Sequence, residues 1–165
     1  MKKTRTKILA GVVLLAAVLL ITGIVWAKAT KTSVAGDLTV IVTGTPVRYW
    51  VDDEGIEHYR GLPYISILSG DLNGMGNGEI NINLDPMGNG DEQGKTTWTG
   101  MIGDLSGTFR GHISATVING VAHGTDVLYG TGGDFVGMKM KINFSLPYAT
   151  MMTKYQGMLL NPHGE

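Results

Sequence analysis

Asp126 is the carboxylate whose place in the sequence best suits acid–base chemistry. Asn119-Gly120 separates two β-branched runs, and this dipeptide favours a type I′ hairpin turn. The resulting register places Asp126 opposite Ile113, on a face whose other members are small and apolar: Ala115, Val117, Ala122 and Gly124. A carboxyl group in an apolar interior has a raised pKa and can act as a general acid or base. At the rim of the sheet the same side chain would face solvent, and both positions remain open.

Arg110 and Tyr129 are further candidates for a catalytic or substrate-orienting role. The same register places them opposite one another, and such a pair can bind a carboxylate or a phosphate. They share the polar face of the hairpin with His112 and His123, which are candidate ligand-binding residues. The two histidines are separated by four positions, roughly 13 Å along the strand, which is too far for one zinc ion. We therefore expect no histidine metal site.

Aromatic side chains are concentrated in one segment of a chain that is otherwise poor in rings. Tyr49 and Trp50 are adjacent, and Tyr59 and Tyr64 follow closely. Exposed rings on a sheet can stack on sugars or flat ligands, which makes Tyr49 and Trp50 candidate ligand-binding residues. The alternative is that these rings fill one end of a barrel.

Two segments rich in Gly, Asp and Asn raise the alternative of a calcium site. Asp71, Asn73 and Glu79 offer the oxygen ligands that Ca²⁺ prefers, although their spacing does not match an EF-hand. Both segments contain Met-Gly-Asn-Gly, at residues 75–78 and 87–90. These residue types are also typical of tight β-turns, and we expect both copies to be solvated turns.

The composition excludes several classes of site. The chain has no cysteine, so disulfides, Cys-ligated zinc and thiol catalysis are excluded. It also lacks the Gly-x-Ser-x-Gly, P-loop and dinucleotide-binding motifs. Residues 30–165 carry 14 acidic and 8 basic side chains, a net charge of −6 with no basic cluster. We therefore expect no cofactor and no nucleic-acid partner.

Residues 1–29 have the pattern of a signal peptide or a signal anchor. Basic residues precede an uncharged run at 8–26, and Ala27-Lys28-Ala29 fits the small-x-small cleavage rule. If the segment is not cleaved, residues 8–27 form an apolar helix and the only membrane contact. Both alternatives place the remaining chain outside the cytoplasm, either secreted or anchored to the outer face of the cytoplasmic membrane.

Glycine is so frequent after residue 29 that helices longer than two turns are not expected. Residues 30–165 contain 23 of the 25 glycines, and the longest runs without Gly or Pro, 138–146 and 148–156, have the length of strands. Further strand candidates include 79–84 and 95–102. Eight to nine strands without crossover helices predict an antiparallel sheet. The first and last strands, residues 38–43 and 150–160, are apolar and lack edge protection, so we expect them to pair.

The predicted fold is therefore all-β. A short linker at 30–36 joins the N-terminal segment to a single antiparallel β-barrel of about eight strands at 37–165.

The glycine pattern from Trp98 onward resembles that of the small barrels of allene oxide cyclases and dirigent proteins. The residues that carry the resemblance are Trp98-Thr-Gly-Met-Ile-Gly103, Gly107-Thr-Phe-Arg-Gly-His112 and Leu128-Tyr-Gly-Thr-Gly-Gly-Asp-Phe-Val-Gly137. The pattern is similar, too, to secreted prokaryotic domains of unassigned function. The resemblance implies a barrel that encloses a small molecule: the cyclases bind a fatty-acid epoxide, and dirigent proteins hold phenoxy radicals. It transfers no site residue to this chain.

Two functional hypotheses follow. The first is an exported, non-catalytic binding or cell-envelope module for a small apolar or flat ligand, since an eight-stranded barrel has room for one. The second is a cofactor-free isomerase or cyclase acting on a small hydrophobic substrate in the barrel. An Asp126 that points into an enclosed cavity would favour a ligand carrier or an enzyme, whereas a filled barrel would favour a structural role.

Overall fold

The computed structural model describes residues 29–162 and residue 164, which form nine β-strands and no helix. The strands are β1 (Thr30–Val42), β2 (Arg48–Val51), β3 (Glu57–Gly70), β4 (Leu72–Leu84), β5 (Gly90–Ile102), β6 (Leu105–Ile118), β7 (Val121–Gly133), β8 (Lys139–Pro147) and β9 (Met152–Asn161). In this part of the chain no helix is long and apolar enough to cross a membrane. The predicted N-terminal helix lies outside the described residues.

Eight of these strands close into one antiparallel barrel. The order is β1-β9-β8-β7-β6-β5-β4-β3, and pairing of β1 with β3 closes the ring. The expected pairing of the first and last strands is confirmed, from Thr30 opposite Asn161 to Thr39 opposite Met152. Strand β2 lies outside the ring and pairs with the first residues of β3, beyond the end of β1. Closure removes the two unprotected edges that the sequence would otherwise expose.

The hairpin predicted at Asn119-Gly120 is also confirmed. Asn119 has φ of 51° and Gly120 has φ of 73°, the left-handed pair that a type I′ turn requires. The register follows as expected, including the pairing of Ile113 with Asp126. Asn and Gly tolerate positive φ better than other residues, so these two positions determine which face of β7 carries Asp126.

Three expectations from the sequence need correction. Residues 30–36 are the first half of β1 rather than a linker, because they pair with the last residues of β9. The first Met-Gly-Asn-Gly copy, residues 75–78, lies inside β4, and residues 87–89 of the second copy lie in the loop between β4 and β5. Strand β5 begins at Gly90, five residues before the predicted start at Lys95. In β4 and β5 glycine serves close approach of side chains and backbone inside a strand rather than chain reversal.

One half of the barrel is filled by aromatic rings. Trp98, Phe109 and Phe135 pack together, with ring centroids 4.7 Å apart for the two phenylalanines and 6.0–6.1 Å from Trp98. Phe135 reaches this cluster from the loop between β7 and β8. The inward glycine at position 100 makes room, because an added Cβ would lie 2.6 Å from the Trp98 ring. We call this end of the barrel the filled half.

Tyr155 connects β9 to the filled half through its hydroxyl group. The fully buried ring places its oxygen 3.0 Å from the backbone nitrogen of Leu72, which donates to it, and 3.3 Å from the carbonyl of Ser69. We expect Tyr155→Phe to lower the free energy of unfolding by about 1–3 kcal/mol, since the Leu72 amide would be left buried without an acceptor. Urea denaturation measures this loss. Tyr129→Phe, on the exposed outer surface, is the control, and equal stability of the two variants would contradict the assignment.

Candidate functional site

The other half of the barrel is hollow. It contains a cavity of about 240 Å³, which we call the barrel cavity. Its wall is mostly apolar and is formed by inward side chains of the strands, among them Leu38, Val40, Ile80, Ile82, Ile142 and Phe144. Val42, at the end of β1, lines the cavity while remaining 39% exposed, so the cavity opens at this end.

Strands β5 and β6 carry small inward residues in this half. Strands β5 and β6 contribute Gly94 and Ala115 here, whereas they contribute Trp98 and Phe109 to the filled half. An added Cβ at Gly94 would lie 2.7 Å from Ile80 and 3.0 Å from Ile113, so these isoleucines form the wall where β5 has no side chain. These two strands thus place aromatic rings in the filled half and none in the hollow half.

Three loops at the open end are hydrogen-bonded to each other. The Gly120 amide donates to the carbonyl of Gly88 at 3.2 Å, and the Asn119 amide donates to Asn89 Oδ1 at 2.9 Å. The Tyr148 amide in turn donates to the carbonyl of Gly120 at 2.9 Å. These bonds join the β4–β5, β6–β7 and β8–β9 loops, so the mouth of the cavity is organised before any ligand arrives.

Asp126 faces the barrel cavity from β7. Its cross-strand neighbours are Ile113 on β6 and Ile142 on β8, both of which line the same cavity. Its Oδ1 atom is buried and has no hydrogen-bond partner among the described residues. Burial in this apolar wall raises the pKa of Asp126 to about 7. The interior position left open by the sequence is therefore the one that this side chain adopts.

Glu92 is a second carboxyl group in the cavity, on β5. It is 4% exposed, and its Oε2 accepts a hydrogen bond of 2.8 Å from the hydroxyl of Tyr148 in the β8–β9 loop. Burial raises the pKa of Glu92, and the Tyr148 hydrogen bond opposes this shift. Burial and the neighbouring Glu92 also raise the pKa of Tyr148.

The negative charges of Asp126 and Glu92 both influence the pKa of Tyr64, which lies on β3. Its buried ring lines the cavity, and burial is the main reason that the pKa of Tyr64 is raised. A hydrogen bond with Thr96 opposes the shift, while the negative charges of Asp126 and Glu92 add to it. The cavity therefore combines an apolar wall with hydroxyl and carboxyl groups. No Lys, Arg or His is found among the described residues that line it.

Tyr49 and Trp50 lie on β2, outside the closed ring. Trp50 stacks on His58 with a centroid distance of 4.5 Å, and the guanidinium carbons of Arg48 and Arg60 lie 4.4 and 5.0 Å from its ring centroid. Tyr49 is half exposed and packs against Tyr59, a cavity-lining residue, at 4.9 Å. The Trp50 ring thus contacts side chains of its own chain, whereas Tyr49 stands beside the mouth.

His58 is held in place by hydrogen bonds on both ring nitrogens. Nε2 lies 2.8 Å from Asp52 Oδ2, and Nδ1 lies 2.8 Å from Asn83 Oδ1. The bond with Asp52 is the main cause of the raised pKa of His58, and it likewise lowers the pKa of Asp52. The protonated His58 ring is therefore paired with the Asp52 carboxylate, and neither residue lines the barrel cavity.

The remaining residues predicted from the polar face of the hairpin do not reach the cavity. Arg110 and Tyr129 are cross-strand partners on the outer surface, where Lys139 Nζ lies 5.3 Å from the Tyr129 ring centroid. His123 is also on the outside, with Nδ1 3.0 Å from Ser145 Oγ. His112 borders an open outer groove that is separate from the cavity. The structure therefore separates Asp126 from the other four candidates of the hairpin.

The three calcium candidates are not brought together around one point. Asp71 accepts a hydrogen bond from the Ala35 amide at 2.8 Å, and Asn73 donates to the carbonyl of Gly70 at 2.9 Å. Glu79 lies opposite Lys95 on the outer surface of β4. Within residues 29–162 and 164, no three His, Asp or Glu side chains are grouped closely enough to hold a metal ion.

Glu92, Tyr64 and Tyr148 were not identified as a site from the sequence. A usable signal exists for Glu92, because Glu92, Thr96 and Trp98 lie on one face of β5. Starting the strand at Lys95 removes Glu92 from that pattern. Tyr148 carries no such signal, since a loop residue reaches the cavity only through the closure of the barrel.

Comparison with known proteins shows the fold. No protein-family model matches the chain, and no curated protein matches it either. A similar fold is found in the crystal structure of a protein with unknown function from the DUF3224 family of Shewanella oneidensis MR-1. The TM-score is 0.64 at 16% sequence identity, covering 79% of this chain and 97% of that chain. None of these comparisons names an allene oxide cyclase or a dirigent protein. The chain thus shares a small antiparallel barrel with a protein of unknown function.

Proposed function

We propose that this protein is a non-catalytic binding module that holds one small, mostly apolar ligand in the barrel cavity. The observation that carries the proposal is the contrast between the two halves of the barrel. Aromatic rings fill one half, whereas the other keeps an apolar cavity of about 240 Å³ with a few inward polar groups. Small-molecule sites have this composition, with an apolar wall and a small number of placed polar groups.

The size of the cavity supports a ligand of one or two rings. A closed apolar cavity of about 150 Å³ is sufficient for benzene. The barrel cavity is larger and opens at its mouth, where the lining residue Val42 is 39% exposed. A small apolar ligand therefore has both a route into the cavity and room inside it.

The direction of β1 is compatible with an extracytoplasmic role for the module. Thr30 begins β1 at the filled half, and Val42 ends it at the mouth. Any segment that precedes Thr30 joins the barrel at the end away from the mouth. If residues 8–27 anchor the chain in the cytoplasmic membrane after export, the cavity faces the surroundings rather than the lipid.

A cofactor-free isomerase or cyclase is the second candidate function. The specific observation in its favour is Asp126, because a carboxyl group with a pKa of about 7 can give and take protons near neutral pH. Its buried, unpartnered Oδ1 belongs to a side chain that lines the same cavity. Turnover that Asp126→Asn abolishes while binding persists would favour this function over the binding module.

Toluene is a neutral probe for binding in the barrel cavity, and the substitution Val40→Phe (V40F) should fill that cavity. We expect toluene to shift backbone amide resonances of cavity-lining residues in the wild type, since this half of the barrel has room for it. Val40→Phe fills the cavity from β1 and should abolish these shifts. Ile41→Phe is the matched control, because Ile41 is the next residue on the same strand and is exposed.

Two results would overturn the binding proposal. One is the absence of saturable toluene shifts in a folded wild-type protein. The other is a set of shifts that is confined to the outer surface and unchanged in V40F.

A further inference from the structure

Among the described residues that line the barrel cavity, the charged groups are all acidic. Asp126 on β7 and Glu92 on β5 supply carboxyl groups, and Tyr64 on β3 and Tyr148 on the β8–β9 loop supply hydroxyl groups. The nearest cations of β3, His58 and Arg60, do not line the cavity and are bound to Asp52 and Asn83. An anionic ligand would find no counterion here, and placing its charge beside two buried carboxyl groups would be costly.

The two carboxyl groups retain unused capacity to accept hydrogen bonds. Asp126 Oδ1 is buried without any donor from the described chain, and Glu92 accepts one bond, at Oε2, from Tyr148. Buried polar atoms in folded proteins normally have partners. A ligand in the cavity can supply the donor that Asp126 lacks.

The register places both carboxyl groups on neighbouring parts of one wall. Glu92 lies opposite Ala115, and Asp126 lies opposite Ile113, two residues farther along β6. Because β6 alone separates β5 from β7, the two strands are about 10 Å apart. Both side chains line the cavity, and the charge of each acts on Tyr64. Neither carboxyl group contributes to the pKa shift of the other, so Asp126 and Glu92 are two separate negative groups on one wall of the cavity.

We propose that the ligand is an apolar amine, whose ammonium group donates a hydrogen bond to Asp126 while its hydrocarbon body contacts the apolar wall of the barrel cavity and Glu92 adds a second negative charge to that wall. This inference rests on the proposed binding function and adds the charge of the ligand to it. The rings of Tyr64 and Tyr148 offer additional favourable surfaces for a cation. Fatty acids and other apolar anions are excluded from the site by the same electrostatics.

Proton release provides a signature of this mode of binding. Asp126 is half protonated near pH 7 in the free protein, and a bound ammonium group favours its ionised form. The other titratable groups that line the cavity are Glu92, also a carboxyl group, and the phenols of Tyr59, Tyr64 and Tyr148, whose pKa values are all raised. Raised pKa values keep the phenols protonated at neutral pH, so the carboxyl groups are the source of any released proton. Amine binding at pH 6.5 should therefore release a proton, whereas binding of a neutral analogue should not.

Three probes of matched shape test the proposal by isothermal titration calorimetry at pH 7.5: 2-phenylethylamine, 2-phenylethanol and 3-phenylpropanoate. We expect the amine to bind at least tenfold more tightly than the alcohol and the carboxylate to show no saturable binding. Asp126→Asn and Glu92→Gln should each weaken binding of the amine more than binding of the alcohol, so that the preference for the amine falls at least threefold. Asp104→Asn is the control, because it removes one exposed negative charge at the far end of the barrel.

The outcomes separate this inference from the binding function. Equal affinity for amine and alcohol, or tightest binding of the carboxylate, would overturn the amine proposal and leave the binding module standing. A preference for the amine that persists in D126N and E92Q would also overturn it. Failure of all three probes, together with failure of toluene, would overturn the binding function itself.

Discussion

Phe135→Ala should lower the free energy of unfolding by about 3–5 kcal/mol, the largest stability effect that we expect from a single substitution. Phe135 is fully buried and stacks on Phe109 with centroids 4.7 Å apart, although it lies in a loop between β7 and β8. Removal of the ring would leave a cavity in the filled half and deprive Trp98 of one of its aromatic neighbours. Chemical denaturation at constant pH measures the loss.

Val136→Ala is the control for this prediction, since Val136 is the next residue in the same loop and is 58% exposed. It should change stability by no more than about 0.5 kcal/mol. A loss below about 1 kcal/mol in F135A would show that the loop does not close the filled half, because deletion of a core ring costs several times more.

Asp126→Asn should remove much of the pH dependence of stability between pH 5 and pH 8. Burial raises the folded-state pKa of Asp126 to about 7, so the protonated carboxyl group supports the folded state most at low pH. That contribution is fully present below the unfolded-state pKa, about 4, and is lost as the pH rises through the folded-state pKa. From pH 5 to pH 8 we expect the wild type to lose about 2–3 kcal/mol more than D126N does.

Urea denaturation of the two proteins at several pH values measures this difference. His58 and Glu92 also titrate with raised pKa values, but both are present in wild type and variant, so their contributions cancel in the comparison. The exposed Asp104→Asn substitution should leave the slope unchanged. Identical slopes for wild type and D126N would mean that Asp126 is solvated rather than buried in the cavity wall.

The sequence was sufficient to predict the barrel and the register of Asp126 opposite Ile113, but it left open whether the carboxyl group faces the interior or the solvent. Positive φ at both central residues is needed for a two-residue hairpin, so Asn119-Gly120 determined a register that the structure follows from Ile118 opposite Val121 to Phe109 opposite Gly130. The unprotected first and last strands likewise predicted barrel closure, because two exposed apolar edges would promote aggregation.

From the sequence, the glycines of β4 and β5 were interpreted as turn residues or strand breakers, and this interpretation was wrong where they allow close packing inside a strand. Gly76 and Gly78 lie inside β4, where an added Cβ would come 2.3 Å from Ser66 Oγ and 2.8 Å from the Tyr64 hydroxyl. Such glycines allow side chains from the neighbouring strand to lie directly against the backbone of β4. Secondary-structure propensity does not reveal this use of glycine, because it considers each segment alone. The same interpretation of glycine as a breaker removed Glu92 from β5 and hence from the site.

The cavity itself was beyond the reach of the sequence. The cavity exists because of the particular side chains that face the interior at one level along the barrel axis. These side chains come from several strands, so the sequence of one strand does not show whether they fill the interior at that level. Gly94 and Ala115 are ordinary residues alone, and nothing in either strand shows that the neighbouring Glu92 and Ile113 line a cavity. Side-chain size summed around the ring, rather than any motif, separates the hollow half from the filled half.

Intermolecular nuclear Overhauser effects from bound 2-phenylethylamine to isoleucine methyl groups test most directly whether the barrel cavity is a binding site. Ile82 and Ile142 line the cavity, whereas Ile41 and Ile67 are exposed on the outer surface, so one labelled residue type reports on both locations. We predict that the aromatic protons of the probe contact the methyl groups of Ile82 and Ile142 and not those of Ile41 and Ile67. Contacts confined to the outer isoleucines would contradict binding inside the barrel.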